Sequence, residues 1–443
     1  MGVVRQDTIG PLRRFRRFVP LLVLAAALIP GSAAAAVRWT TLPEAPLAPR
    51  GFHTATWTGR EMLIWGGGSA GRLFADGAAY DPAARSWRAM PRSPLEARTG
   101  HVSAWTGRRL LVWGGCCDRG GAEFGDGAAY DPVRDRWRPL RPPPIAARTG
   151  HAGVWTGAEL IVWGGHVFGR EFADGAAYDP ARDRWRSLPP APIEGRFGHT
   201  AVWTGAQILV WGGATATGTL ADGAAYDPAA DAWSPIPPAP IAGRSGHTAV
   251  WTGTHLLVWG GCCDAASAEL FDGAAYDPAA QAWTPLPQGP LAPRQLHTAV
   301  WIGDQMVVWG GRSGLDGYPP DAASYVPAIG AWSRVRRGSL VPRAGHTAVW
   351  TGDRMIVWGG CCTGQQRGFP DGAALTFVPT ATPAPAPPTS PPSPASSPTL
   401  VPVTPATPRG SEGPPIGAVV VAAAAGIAVV ALLVAAVRQR RPR

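Results

Sequence analysis

The chain of 443 residues is long enough for a large core, and its 57 Gly and 48 Pro recur at fixed places between apolar runs, as turns do, which excludes a merely disordered composition. The net charge of +10 sits mainly at the ends: residues 1–36 carry +4, the last six residues another +4, and the rest only +2. With no basic run in the middle, that balance excludes a phosphate-tracking surface and argues for no nucleic acid among the partners. All forty basic residues are Arg, which together with the abundant Ala, Gly and Pro points to a GC-rich bacterial source.

Arg13, Arg14, Arg16 and Arg17 precede an apolar run from Phe18 to Ile29, then Pro30-Gly31 and Ser32 to Ala36. A basic stretch, an apolar stretch and small residues in that order predict a signal peptide over residues 1–36, cleaved after Ala36.

The next 342 residues repeat one unit. Its clearest copy is Gly198-His199-Thr200-Ala201-Val202-Trp203-Thr204-Gly205, then Ile208 to Trp211 with Gly212-Gly213, then Asp222-Gly223-Ala224-Ala225-Tyr226-Asp227-Pro228, then Trp233; Arg196 stands just ahead. Trp57, Trp105, Trp155, Trp203, Trp251, Trp301 and Trp350 recur at steps of 48 to 50 residues. A second set of seven Trp precedes Gly-Gly, and a third set of six ends the unit, from Trp87 to Trp332. The missing member of the third set is Trp39, in front of the first unit, so all 21 Trp are used three per unit. Each unit reads as four short strands punctuated by Thr-Gly, Gly-Gly, Asp-Pro and Pro-rich turns. Four-stranded sheets with a period near 50 bury their faces by radial stacking. The N-terminal segment then supplies the last strand of the seventh unit.

Gly212-Gly213 after an apolar strand, then Tyr226, then Trp233, resembles the kelch repeat, the blade of a kelch β-propeller. The seventh unit departs from it only in having Leu375 at the Tyr position. The resemblance covers residues 37–378 and implies an all-β fold: a seven-bladed propeller closed by an N-terminal strand. It also brings two enzymatic precedents. A copper site of the galactose-oxidase kind lacks its parts, because every Tyr but Tyr318 is a blade marker. A sugar mutarotase or epimerase at the axis has Arg and His to draw on.

Residues 379–415 are rich in Pro, Ser and Thr and read as an extended linker. Residues 416–437 are uninterrupted apolar or Gly residues, about 33 Å of helix at 1.5 Å per residue. Arg438, Arg440, Arg441 and Arg443 follow, so residues 416–437 predict one transmembrane helix and 438–443 a cytoplasmic basic tail, with the propeller on the extracytoplasmic side of a bacterial cell membrane.

Strands one and two are antiparallel, so the Arg-x-x-His motif and the loop after Gly-Gly share one face. The seven motif histidines (His53, His101, His151, His199, His247, His297 and His346) read as parts of the blade, not as metal ligands. The seven motif arginines read as ties between blades, although Arg148 and Arg196 are candidates for holding an acidic ligand. The Asp of Asp-Gly gives one carboxylate per blade, too few oxygens for calcium, so turn duty is expected. Cys116-Cys117, Cys262-Cys263 and Cys361-Cys362 each follow Gly-Gly, in loops two residues longer than those of blades one, three and four. They lie in blades that are not neighbours, and an exported chain favours oxidation, so three vicinal disulfides that stiffen loop tips are expected. No catalytic constellation, metal site or cofactor motif stands out. The expected function is a surface module binding an extracellular glycan or protein through the positions where blades differ: His166, Phe168 and Arg170 in blade three, and Gln295, Leu296 and Tyr318 in blade six. The alternatives are the sugar isomerase and a non-binding surface scaffold.

Overall fold

The computed structural model describes residues 36–378 apart from 118–120, 264–267, 315–316 and 364–366. The expected signal peptide up to residue 35, the linker, the transmembrane helix and the basic tail lie outside the described residues. Among the described residues no helix is long and apolar enough to cross a membrane.

Seven four-stranded antiparallel sheets follow one another along the chain. Blade four is representative: strands Thr200–Trp203, Ile208–Trp211, Gly223–Asp227 and Ala232–Ile236 pair in chain order, with Thr200 opposite Trp211, Trp211 opposite Gly223 and Tyr226 opposite Trp233. The sheet of blade seven holds Thr347–Trp350, Arg354–Trp358, Gly372–Val378 and Ala36–Thr41, with Trp39 opposite Leu375. The first strand of each blade neighbours the first strands of the blades on either side, and blade seven meets blade one, so the sheets form a ring.

The core lies between blades. Leu209 and Trp211 of blade four pack with Leu256, Val258 and Tyr276 of blade five, while Ile208 and Val210 face Ile161 and Trp163 of blade three. Alternate side chains of strand two therefore enter opposite seams, which is why that strand is apolar throughout and fully buried in six blades, and in the seventh after the partly buried Arg354 that opens it. Seven such clusters fill the seven seams. The fourth strand is the most exposed, and its Trp crosses the seam: Trp233 Nε1 donates to Pro189 O at 3.1 Å, and Trp39 Nε1 to Arg336 O at 2.9 Å. The second Gly-Gly residue is pressed by its own blade and the first by the next. A Cβ on Gly213 would lie 2.9 Å from His199 Cβ, and one on Gly212 would lie 2.7 Å from His247 Cε1.

Candidate ligand-binding face

The segment that enters strand one and the loop that leaves strand two meet at one end of the ring. There the motif Arg is wholly buried in every blade. In blade five, Arg244 donates from Nε to Ala242 O at 3.0 Å and from Nη1 to Gly260 O at 3.1 Å, and clasps Asp272 through Nη1 and Nη2 at 2.8 and 3.2 Å. Asp272 is the Asp of Asp-Gly and is 45 % exposed. The same pairing recurs at Asp76, Asp126, Asp174, Asp222, Asp321 and Asp371. In four blades a Phe covers the guanidinium, as Phe172 covers Arg148 at 4.2 Å.

This corrects three expectations. Arg148 and Arg196 have no exposed surface and are ion-paired through Nη1 to Asp174 and Asp222, so neither offers a face to a ligand. The motif Arg side chains lock their own blades, and it is the backbone of these Arg that reaches the neighbouring blade, as in Gly213 N donating to Arg244 O at 2.8 Å. The Asp of Asp-Gly is an ion-pair partner, whereas the Asp of Asp-Pro caps its turn: Asp227 Oδ1 accepts from Ala229 N and Ala230 N.

The motif histidines are also buried, each set edge-on against the strand-two Trp of the preceding blade at centroid distances of 4.7 to 5.2 Å. Five reach a Thr hydroxyl across the seam, for instance His247 Nε2 to Thr200 Oγ1 at 2.9 Å and His101 Nε2 to Thr54 Oγ1 at 3.0 Å. Burial, reinforced by the neighbouring Arg, pushes His101, His199, His247 and His346 down to about 3 and His53, His151 and His297 well below the usual value. Blades two and three have Val102 and Ala152 at the Thr position, and there His151 and His199 leave both ring nitrogens without a partner. Val102→Thr therefore supplies a missing hydroxyl. Its unfolding free energy in chemical denaturation is expected to rise by about 0.5–1.5 kcal/mol, and that of Thr200→Val to fall by a similar amount. An unchanged Val102→Thr midpoint would remove this role for the Thr.

Around the axis, the residue before each motif His has positive φ, between 56° and 66°. Five blades place Gly there; blade one has Phe52 and blade six Leu296. A bulky residue in the left-handed region costs about 1–3 kcal/mol and needs its surroundings to hold it. Hydrogen bonds supply that hold: Phe52 N donates to Gly345 O at 2.7 Å, Gly345 N to Leu296 O and Leu296 N to Gly246 O, both at 3.3 Å. Phe52, Leu296, Ala344 and Cys361 form an apolar cluster that also takes Tyr318 and Cys362. Phe52 was not singled out by the repeat pattern, although its place in a Gly position was a signal that could have found it.

The other candidate residues are placed unevenly, and Arg170 has a counterpart in Arg72 of blade one, stacked on Phe74 at 5.3 Å. Phe168 is 78 % exposed, and Arg170 is exposed with its guanidinium 5.2 Å from the Phe172 ring. Partly buried His166 packs on Phe197 at 4.5 Å, and burial lowers its pKa while Glu171 opposes the shift. Gln295 and Leu296 are buried, with Gln295 Nε2 donating to Glu269 at 3.3 Å, so they form the floor of the face, not its contact surface. Each Cys pair is a vicinal disulfide. The first Cys is buried and bridges to the residue two before the motif His, and the second has positive φ. The face thus combines exposed aromatic and basic side chains with a floor held by backbone bonds and disulfides, which suits contact with a ligand.

No curated protein matches the chain. The family model described as the Attractin/LZTR1 beta-propeller matches residues 120–367, more than half of the sequence. With seven kelch-type blades in a ring, the chain belongs to the Attractin/LZTR1 beta-propeller family.

Proposed function

We propose that this propeller is a binding module displayed on a bacterial cell surface, taking a carbohydrate or protein ligand on the face that carries the Gly-Gly loops. The observation that supports the reading is the contrast on that face: the repeated Arg and His are buried, and the side chains that differ between blades include the exposed Phe168 and Arg170. Export and anchoring rest on the sequence of residues 1–36 and 416–443 and fit the three disulfides, which persist in oxidising compartments. The motif Arg and His that motivated a sugar isomerase are held inside and between blades, which removes the observation favouring it.

The full-length protein, probed on a glycan array and against a panel of extracellular proteins, is expected to give a ligand whose affinity falls at least tenfold in Phe168→Ala/Arg170→Ala/Tyr318→Ala. A triple variant that keeps its circular dichroism and binds as the parent does would overturn the assignment of this face.

A further inference from the structure

The opposite face carries a second feature. At the seam between blades one and two, Arg88 of the fourth strand lies between two acids. Its Nε and Nη2 donate to Glu61 at 3.1 and 2.9 Å; its Nη1 donates to Tyr130 Oη at 2.8 Å and lies 3.5 Å from Asp135. Tyr130 in turn donates to Asp135 at 2.6 Å. The seam between blades three and four repeats this with Glu159, Arg186, Tyr226 and Asp231. Both latches read acid, base, acid across the seam.

The seam between blades seven and one has the signs reversed. Arg354 stands at the Glu61 position, Arg85 at the Asp135 position, Tyr80 at the Tyr130 position, and Thr40 where Arg88 would be. The central side chain is short and uncharged, and a cavity of about 60 Å³ opens there, lined among others by Thr40, Thr41, Tyr80, Arg85, Arg354 and Thr376. One water needs about 10–15 Å³ on this scale, so the space holds more than a single water. Arg85 Nη2 donates to Thr41 O at 3.3 Å, and Arg354 is paired with the exposed Asp353, so both guanidinium groups are kept at the cavity rim. Where the sibling seams put a cation between two acids, this seam offers two cations, a phenol and threonine hydroxyls around an empty centre.

We propose that this cavity is an anion-binding site that takes a carboxylate. The chain itself supplies the precedent, because a Tyr hydroxyl and an Arg already clasp the carboxylates of Asp135 and Asp231 at the equivalent seams. Charge-assisted donors from Arg are the groups that recognise a carboxylate, and the small volume restricts entry to one such group. Its source is a small free acid or an acidic side chain on a partner.

Acetate is the probe for the carboxylate itself. Saturation-transfer NMR on the full-length protein at fixed ionic strength is expected to show saturable acetate binding that chloride does not compete away. Arg85→Asp and Arg354→Glu are each expected to weaken it at least tenfold. The rebuilt latch Thr40→Arg/Arg85→Asp/Arg354→Glu is expected to abolish it and raise the melting temperature, a readout that does not depend on acetate. Competition by free glutarate against an acidic peptide then separates the two sources. Acetate binding unchanged in Arg85→Asp and Arg354→Glu, or no acetate binding in the parent, would overturn the proposal.

Discussion

Asp272→Ala in the full-length chain is expected to lower the unfolding free energy by about 3–5 kcal/mol, more than Arg244→Met lowers it. The order is the informative part. Asp272 is half exposed, so the lost carboxylate was well hydrated and its own removal costs little. What remains is a guanidinium with no exposed surface and no counter-charge, and an uncompensated buried cation is the expensive species. Arg244→Met removes the charge with its donors and leaves Asp272 to water, so its cost comes from lost packing and from Gly260 O losing its partner. Urea unfolding of both variants measures the two costs. An Asp272→Ala effect under 1 kcal/mol, or the reverse order, would mean that the ion pair is peripheral.

Acid is expected to unfold the propeller through its histidines. The folded state holds seven imidazoles neutral, with pKa values near 3 or well below the usual 6.5. The unfolded state binds protons at about 6.5, so it takes up more protons than the folded state between those values. Stability is therefore full above about pH 6.5 and is lost as the pH falls towards 3. Each histidine contributes a slope of up to about 1.4 kcal/mol per pH unit, and seven together exceed a typical total stability of about 5–15 kcal/mol within two units. Unfolding without heat is expected between about pH 6 and 4. The proton uptake on unfolding at pH 5 should approach seven, and an uptake of one or two would contradict the burial of the ring.

The blade count and the strand order were legible because each strand carries its own marker: Trp-Thr-Gly, Trp-Gly-Gly, Ala-Ala-Tyr and a lone Trp. The pairing of residues 36–41 with 372–378 follows from one missing Trp, which Trp39 supplies. The vicinal disulfides were legible because their blades are not adjacent. The fate of the motif Arg was less so. Arg148 and Arg196 look like ligand-binding groups when a single unit is read, and nothing in that unit marks the Asp 26 residues on as their partner. The constant pairing of one such Asp with one such Arg in all seven units was the available signal. Leu296 stood out as a departure from Gly, yet its burial depends on Phe52 and Cys361 brought from other blades. The inverted seam at Arg85 and Arg354 was not legible at all, because it compares residues that face one another only after the ring closes.

The central claim is that the sevenfold Arg and His are building parts of the ring. Imidazole nitrogen shifts of the full-length protein at pH 5 test it most directly. Seven neutral rings are expected. Motif histidines already protonated at pH 5 would place them in solvent at a working site and contradict the account.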